Sequence, residues 1–176
     1  MTRIVAGTHR GRPLAVPAGA TTRPTADRAR EGLFSSLQSL VDLEGATFLD
    51  LYAGSGALGL EALSRGAARA TLVESDDRAL AVLRANTASL GLPAEVVGQP
   101  VERFLAAEPE PYDVVVLDPP YDLDVDPVLV ALLPWAADVV VVERRTRGPA
   151  PVWPQGLEPL RARRYGEATL WYGSRS

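Results

Sequence analysis

The chain has 176 residues, 47% of them apolar, enough for one domain with a packed core. It has no cysteine and a single histidine, His9. That excludes disulfides, thiolate or histidine metal clusters, cysteine nucleophiles and histidine-based triads, so no metal is expected. The net charge of −4 hides a polarity: residues 1–30 hold six arginines against Asp27 alone, residues 144–176 seven arginines against Glu158 and Glu167, and the stretch between them nineteen acids against five arginines. All eighteen cations are arginine, a side chain suited to bidentate contact with phosphate. The two ends therefore read either as basic edges that meet phosphate or as ordinary solvated surface.

Residues 1–20 predict a small basic hairpin or arm, with Arg3-Ile4-Val5-Ala6 and Pro13-Leu14-Ala15-Val16 as strands and Gly7 and Gly11 bounding the turn. Thr21 to Pro24 reads as a linker, and a helix should begin near Thr25, with Thr25 as its cap. Ala29, Leu33, Leu37 and Leu40 fall on one face of that helix, leaving Arg28 and Glu31 for the other. The N-terminus shows no apolar signal segment, which points to the cytoplasm. The longest apolar stretch, Val128 to Val142, is broken by Pro134 and Asp138 and reads as two buried elements rather than a membrane span.

From Ala46 onward strand-like runs at 46–51, 70–74, 94–97, 112–117 and 138–143 alternate with helical stretches near 57–65, 76–89, 100–107 and 125–133. Such alternation predicts a parallel sheet covered on both faces, with all strand C-termini on one rim where ligands bind. Asp50, Glu74 and Asp118 each fall at a strand C-terminus and should converge there. Residues 144–156, rich in Pro, Gly and Arg, read as a loop, and 157–173 as a closing antiparallel hairpin.

Two motifs sit on that rim. Gly54, Gly56 and Gly59 satisfy G-x-G-x-x-G between a strand and a helix, and Glu74 follows Gly54 by twenty residues, as an acid accepting from ribose hydroxyls would. The glycines alone would also fit a nicotinamide dinucleotide. Asp50 argues otherwise, because its carboxylate would repel a pyrophosphate and attract a ligand carrying an ammonium and a sulfonium, as S-adenosylmethionine does. Gln99-Pro100-Val101, after the third strand, is placed to border an adenine.

The second motif is Asp118-Pro119-Pro120-Tyr121, directly after Val114-Val115-Val116-Leu117. An exocyclic ring amine is a poor nucleophile because its lone pair is delocalised. The Asp118 carboxylate and the Pro119 carbonyl can accept its protons, the two prolines stiffen the backbone, and Tyr121 offers a face on which a flat base stacks. The same tetrapeptide would also serve an adenine in DNA or a glutamine side chain, although 176 residues leave no visible room for a DNA target-recognition domain. A nicotinamide-dependent oxidoreductase would leave Asp50 and the tetrapeptide unexplained, and a non-catalytic RNA-binding factor would not need both motifs intact.

With these motifs the chain resembles the class I S-adenosylmethionine-dependent methyltransferases. More narrowly it resembles the bacterial RsmD-type enzymes that methylate the N2 amine of a guanine in 16S ribosomal RNA. The narrower likeness rests on Arg3 to Gly7 with Arg10-Gly11-Arg12, on Arg23-Pro24-Thr25-Ala26-Asp27-Arg28-Ala29-Arg30-Glu31-Gly32-Leu33-Phe34, on the run from Phe48 to Ala67, and on Arg164-Tyr165-Gly166-Glu167. It implies a Rossmann-like fold: a mostly parallel seven-stranded sheet with helices on both faces and a C-terminal antiparallel hairpin. It divides the chain into a basic arm over 1–24 and a methyltransferase domain over 25–176. By the same resemblance Asp50, Gly54, Ser55, Gly56 and Glu74, with Tyr52 and Ser75 beside them, bind the cofactor, and Asp118 to Tyr121 hold the guanine. The segment from Thr25 to Glu31 would close over the methionine end. Arg10, Arg12, Arg23, Arg28 and Arg30 are the candidate phosphate contacts, any of which could instead pair with Asp27 or Glu31. The implied partner is 16S ribosomal RNA within the small subunit or a late assembly intermediate. A monomer without a membrane anchor is expected.

Overall fold

The structure is a computed structural model that describes residues 1–19 and 24–176. Arg23 lies outside the described residues. The chain opens with two short antiparallel strands, β1 (Thr2–Arg3) and β2 (Pro13–Leu14), paired Thr2 to Leu14. These strands are shorter than the sequence pattern predicts, for a tertiary reason. The amides of Val5 and Ala6 donate to the Glu61 carboxylate at 2.8 and 2.9 Å, and the Ala15 amide donates to Asn86 Oδ1 at 2.9 Å. Groups that a longer ladder would have paired are taken by the body of the protein. Ile4 and Leu14 are buried in the main core.

Helix α1 (Pro24–Gln38) begins at its proline, a favoured first helical residue. Thr25 thus falls inside the first turn. Ala29, Leu33 and Leu37 are buried, and Arg28 and Glu31 lie on the exposed side as the periodicity requires.

The remaining strands are β3 (Thr47–Leu51), β4 (Arg69–Glu74), β5 (Ala94–Gly98), β6 (Tyr112–Leu117), β7 (Ala136–Arg145), β8 (Leu157–Tyr165) and β9 (Ala168–Arg175). They form one sheet in the order β5-β4-β3-β6-β7-β9-β8. The first five are parallel, and β9 runs antiparallel between β7 and β8. Helices α2 (Ala57–Ser64), α3 (Asp77–Leu90), α4 (Val101–Leu105) and α5 (Asp126–Ala131), with a 3-10 turn over Leu133–Trp135, supply the crossovers. The predicted loop over 144–156 begins later than expected, because Arg144 and Arg145 extend β7 and pair with Thr169 and Ala168.

Side chains alternate across each strand, so one run of valines feeds two cores. Val114 and Val116 point into the layer under α1, α2 and α3, with Phe34 stacked on Phe48 at 6.1 Å. Val115 and Leu117 point into the layer under α4 and α5, with Trp135 against Phe104. Burial on both faces is why these strands read as unbroken apolar runs. Truncating a fully buried Leu49 or Leu72 to Ala would cost about 2–5 kcal/mol.

The strand order matters for function. The chain passes β3, β4, β5 outward, then returns to place β6 on the other side of β3. The crevice between the C-terminal ends of β3 and β6 is the switch point of the sheet. Leu51 pairs with Leu117 there, and the Asp118 amide donates to the Leu51 carbonyl at 3.4 Å.

Candidate active site

Both sequence motifs open onto that crevice. The corner after β3 turns on Tyr52, whose φ of 63° is left-handed, a strained state for a tyrosine and one that proteins tend to keep at functional sites. Gly54 follows at φ 57°, and a side chain there would project into open space, so the turn leaves room for a ligand. Gly56 does a different job. At φ 83° it faces the core, and a Cβ would lie 2.3 Å from Leu83 Cδ1. The backbone of this corner is held by carboxylates. Asp50 Oδ2 accepts from the Gly59 amide at 3.1 Å, and Glu74 accepts from Gly54, Ser75 and Asp76 at 2.7, 2.9 and 2.9 Å.

Asp50 is 1% exposed, and its second oxygen, Oδ1, is buried without a hydrogen-bond partner. Burial lifts its carboxyl to about 8 against the Gly59 hydrogen bond, and the charges of Asp118 and Glu74 add to the rise. An unmatched buried carboxylate beside two further acids is a site that a cation stabilises.

The corner after β6 is held by the opposite charge. Arg144 is 6% exposed, and its guanidinium donates to the carbonyls of Pro120 (3.3 Å), Tyr121 (2.8 Å) and Leu123 (2.9 Å). It does not take the carbonyl of Pro119. Asp118 is solvent-accessible yet walled round by protein, and this loss of solvent lifts its carboxyl to about 6 while Arg144 pulls it down. Glu143 stands next to Arg144 in β7, and burial together with the Asp118 charge pushes its carboxyl up as well. Tyr121 is 41% exposed and carries the Arg145 guanidinium 4.7 Å above its ring.

Two cavities meet at these corners. The larger, of 720 Å³, takes in Tyr52, Gly54, Glu74 and Ser75 on one side and Asp118 to Tyr121 on the other, with Val101 and Glu102 from α4 along its edge. The smaller, of 350 Å³, runs under α1 past Ser55, Ala26, Asp27 and Arg30. Gly54, Asp118 and Glu143 line both. The larger volume is in the range of small-molecule and cofactor sites.

Of the residues predicted for the adenine edge, Val101 reaches the cavity wall, while Gln99 and Pro100 do not line it. The basic residues divide. Arg10 and Arg28 are exposed, and Arg12 is exposed but tied to the Ser89 carbonyl at 2.9 Å. Arg30 is 7% exposed, donates to the Arg3 carbonyl at 2.7 Å and lies 3.4 Å from Asp27. Its surroundings make it a brace between α1 and the arm and match the ion-pair alternative, not an open phosphate contact.

Three side chains that sequence reading passed over complete the site. Arg144 latches the Asp-Pro-Pro-Tyr corner. Glu143 joins both cavities. Asn86, buried on α3, donates to the carbonyls of Ala15 and Ser55 at 2.9 Å and so ties the arm to the glycine turn. Glu143 and Arg144 were findable, since they follow the run Val139 to Val142 on the same rim that singled out Asp50, Glu74 and Asp118. Asn86 lies mid-helix and gave no signal. Among the described residues no helix is long and apolar enough to cross a membrane, and no group of acids and histidine could hold a metal ion.

Comparison with known proteins agrees with this architecture. A family model described as Conserved hypothetical protein 95 matches residues 2–174. Ribosomal RNA small subunit methyltransferase D of Escherichia coli K12 is 42% identical over 158 residues, covering 86% of this chain and 79% of that protein. The protein of the same name from Haemophilus influenzae is 40% identical over 136 residues, 74% of this chain and 69% of its own. Among solved structures, yhhF from Escherichia coli, a candidate methyltransferase, superposes with a TM-score of 0.89 at 36% identity over 99% of this chain and 97% of that one. Sheet order, helical layers and closing hairpin are those of the Rossmann-like class I methyltransferases. Matched along nearly its whole length, the chain belongs to the Conserved hypothetical protein 95 family, the family of the ribosomal RNA small subunit methyltransferase D proteins.

Proposed function

We propose that this protein transfers a methyl group from S-adenosylmethionine to the exocyclic N2 amine of a guanine in 16S ribosomal RNA of the small subunit. The observation that carries the reading is the meeting of the two corners. A carboxylate-held glycine turn and a stiff Asp-Pro-Pro-Tyr corner end adjacent strands and line one 720 Å³ cavity. The names of the relatives support ribosomal RNA as the substrate class.

The cofactor, when bound, supplies an electrophilic methyl on a sulfonium. The residues present suit it. Glu74 keeps one acceptor site, on Oε2, for a ribose hydroxyl, while the amides of Gly54, Ser75 and Asp76 that donate to it fix its direction. Val101 and Tyr52 flank the adenine side of the cavity. Asp50, buried behind the glycine turn with one oxygen unpaired, would give up its proton as the positive end arrives. Helix α1 walls the smaller cavity through Ala26, Asp27 and Arg30, where the methionine end would lie.

On the base side, Asp118 and the Pro119 carbonyl accept the two amine protons and localise the nitrogen lone pair toward the methyl. Arg144 keeps that acceptor pair in place by engaging the neighbouring carbonyls. Tyr121 supplies the stacking face, worth about 1–3 kcal/mol per base. With the cofactor bound, its sulfonium would supply the methyl to that nitrogen and keep the S–C electron pair. The surplus amine proton leaves to Asp118 or to water. Holding the two reactants in line supplies much of the acceleration.

The test is incubation with labelled S-adenosylmethionine and small subunits lacking the modification, followed by nucleoside mass spectrometry. N2-methylguanosine in 16S RNA is the expected product. Methyladenine, or no transfer despite intact cofactor binding, would overturn the reading.

A further inference from the structure

A third cavity, of 610 Å³, lies beside the base site, between the end of β7 and the β8–β9 turn. Arg145, Thr146, Arg147, Arg164, Gly166 and Glu167 line it. Three arginines from two separate chain segments thus line one hollow, against a single acidic residue among the described lining residues. All three arginines are exposed.

The hollow is rigidly framed. The Thr146 amide donates to the Glu167 carbonyl at 2.8 Å, and the Thr146 hydroxyl donates to the Gly166 carbonyl at 3.0 Å and meets the Thr169 hydroxyl at 2.9 Å. Arg164 spends only its Nε–H on the Gly166 carbonyl, at 3.2 Å, which leaves the fork of its guanidinium for another partner. Adjacent residues of β7 point to opposite sides, so while Arg144 latches the Asp-Pro-Pro-Tyr corner from within, Arg145 reaches out over Tyr121 and onto the wall of the hollow.

We propose that this hollow is a phosphodiester site. Arg145, Arg147 and Arg164 receive the backbone phosphate that flanks the base held by Asp118 to Tyr121, and so set which way the strand enters the site. Charge favours a phosphate over the acidic surface of a protein body like this one, because planar guanidinium forks match its oxygens two at a time. Continuity favours the strand that carries the target base, because Arg145 belongs both to the hollow and to the aromatic platform. The inference rests on the reading of Asp118 to Tyr121 as the base site.

The experiment compares the wild-type chain with Arg147→Ala, Arg164→Ala and the double variant. Binding to a single-stranded RNA oligonucleotide is followed by fluorescence anisotropy across a salt titration. Thermal midpoints and S-adenosylmethionine affinity confirm that each variant is folded. The expected result is weaker RNA binding, with the slope of log affinity against log salt falling by about 0.7 for each phosphate contact removed, and cofactor affinity unchanged. An unaltered slope in the folded double variant overturns the phosphodiester site, even if the wild-type protein methylates small-subunit RNA. A wild-type protein that binds RNA with the expected slope but methylates another substrate would leave this site standing and refute the proposed reaction.

Discussion

The two corners of the candidate active site are built with opposite charges. After β3, carboxylates hold backbone N–H groups: Asp50 takes Gly59, and Glu74 takes Gly54, Ser75 and Asp76. After β6, a guanidinium holds backbone carbonyls, with Arg144 on Pro120, Tyr121 and Leu123. In each case the clamp also sets the local potential. The first leaves Glu74 on the cavity proposed for a cationic cofactor, with Asp50 buried behind the turn. The second places a positive charge behind Asp118, which opposes the rise of that carboxyl. Under the proposed reaction, one crevice would thereby take a cation on one wall and an amine on the other.

The strongest way to separate the corners is Asp118→Ala. It should lower methyl transfer by about a hundredfold or more while S-adenosylmethionine still raises the thermal midpoint as in the wild type. Loss of both would mean that the corners are not independent.

Next in size is Arg144→Lys. An ammonium keeps the charge but cannot reach three carbonyls as a fork does. Losing the guanidinium's hydrogen bonds to these part-buried carbonyls should cost about 1.5–3 kcal/mol in chemical unfolding, and transfer should fall more steeply than cofactor affinity. A variant of wild-type stability would show that the latch is dispensable.

Asp50→Asn sharpens the contrast from the other side. It keeps an oxygen for the Gly59 amide and removes the charge. Cofactor affinity measured by calorimetry should weaken about tenfold to a hundredfold, yet the ligand-free protein should become more stable at alkaline pH. The sign follows from the raised carboxyl of Asp50, which goes from 3.8 to about 8 on folding. In that window the folded state binds more protons than the unfolded one, so this group's contribution to stability declines as pH rises through it. Asparagine removes that decline.

The smallest effect is on the cofactor itself. A cation beside Asp50 pulls its carboxyl back down, so binding should release protons and tighten as pH rises from 6 toward 8. Calorimetry in two buffers of different ionisation enthalpy reads this directly. Proton uptake would contradict the assignment of the cation to that wall.

Much of this arrangement was legible in the chain. The unbroken valine runs predicted strands buried on both faces, and the alternation with helices predicted a parallel sheet and hence a shared rim. Asp50, Glu74 and Asp118 were found because a charged residue after such a run has nowhere to go but the strand end. The basic edges were less legible. Arginine count treats Arg30, Arg144 and Arg147 alike, whereas the fold makes the first a brace, the second a latch and the third part of an open hollow.

The amino-acid order by itself determined the layers, the C-terminal ends of β3, β4 and β6 and the local stiffness of the two corners, because periodicity, glycine freedom and proline rigidity act within a few residues. Only the tertiary structure decided which donors meet which acceptors. The Val5 and Ala6 amides left their hairpin for Glu61, Asn86 joined the arm to the glycine turn, and one oxygen of Asp50 was left unmatched. Such pairings depend on groups tens of residues apart reaching hydrogen-bond distance, which no local pattern encodes.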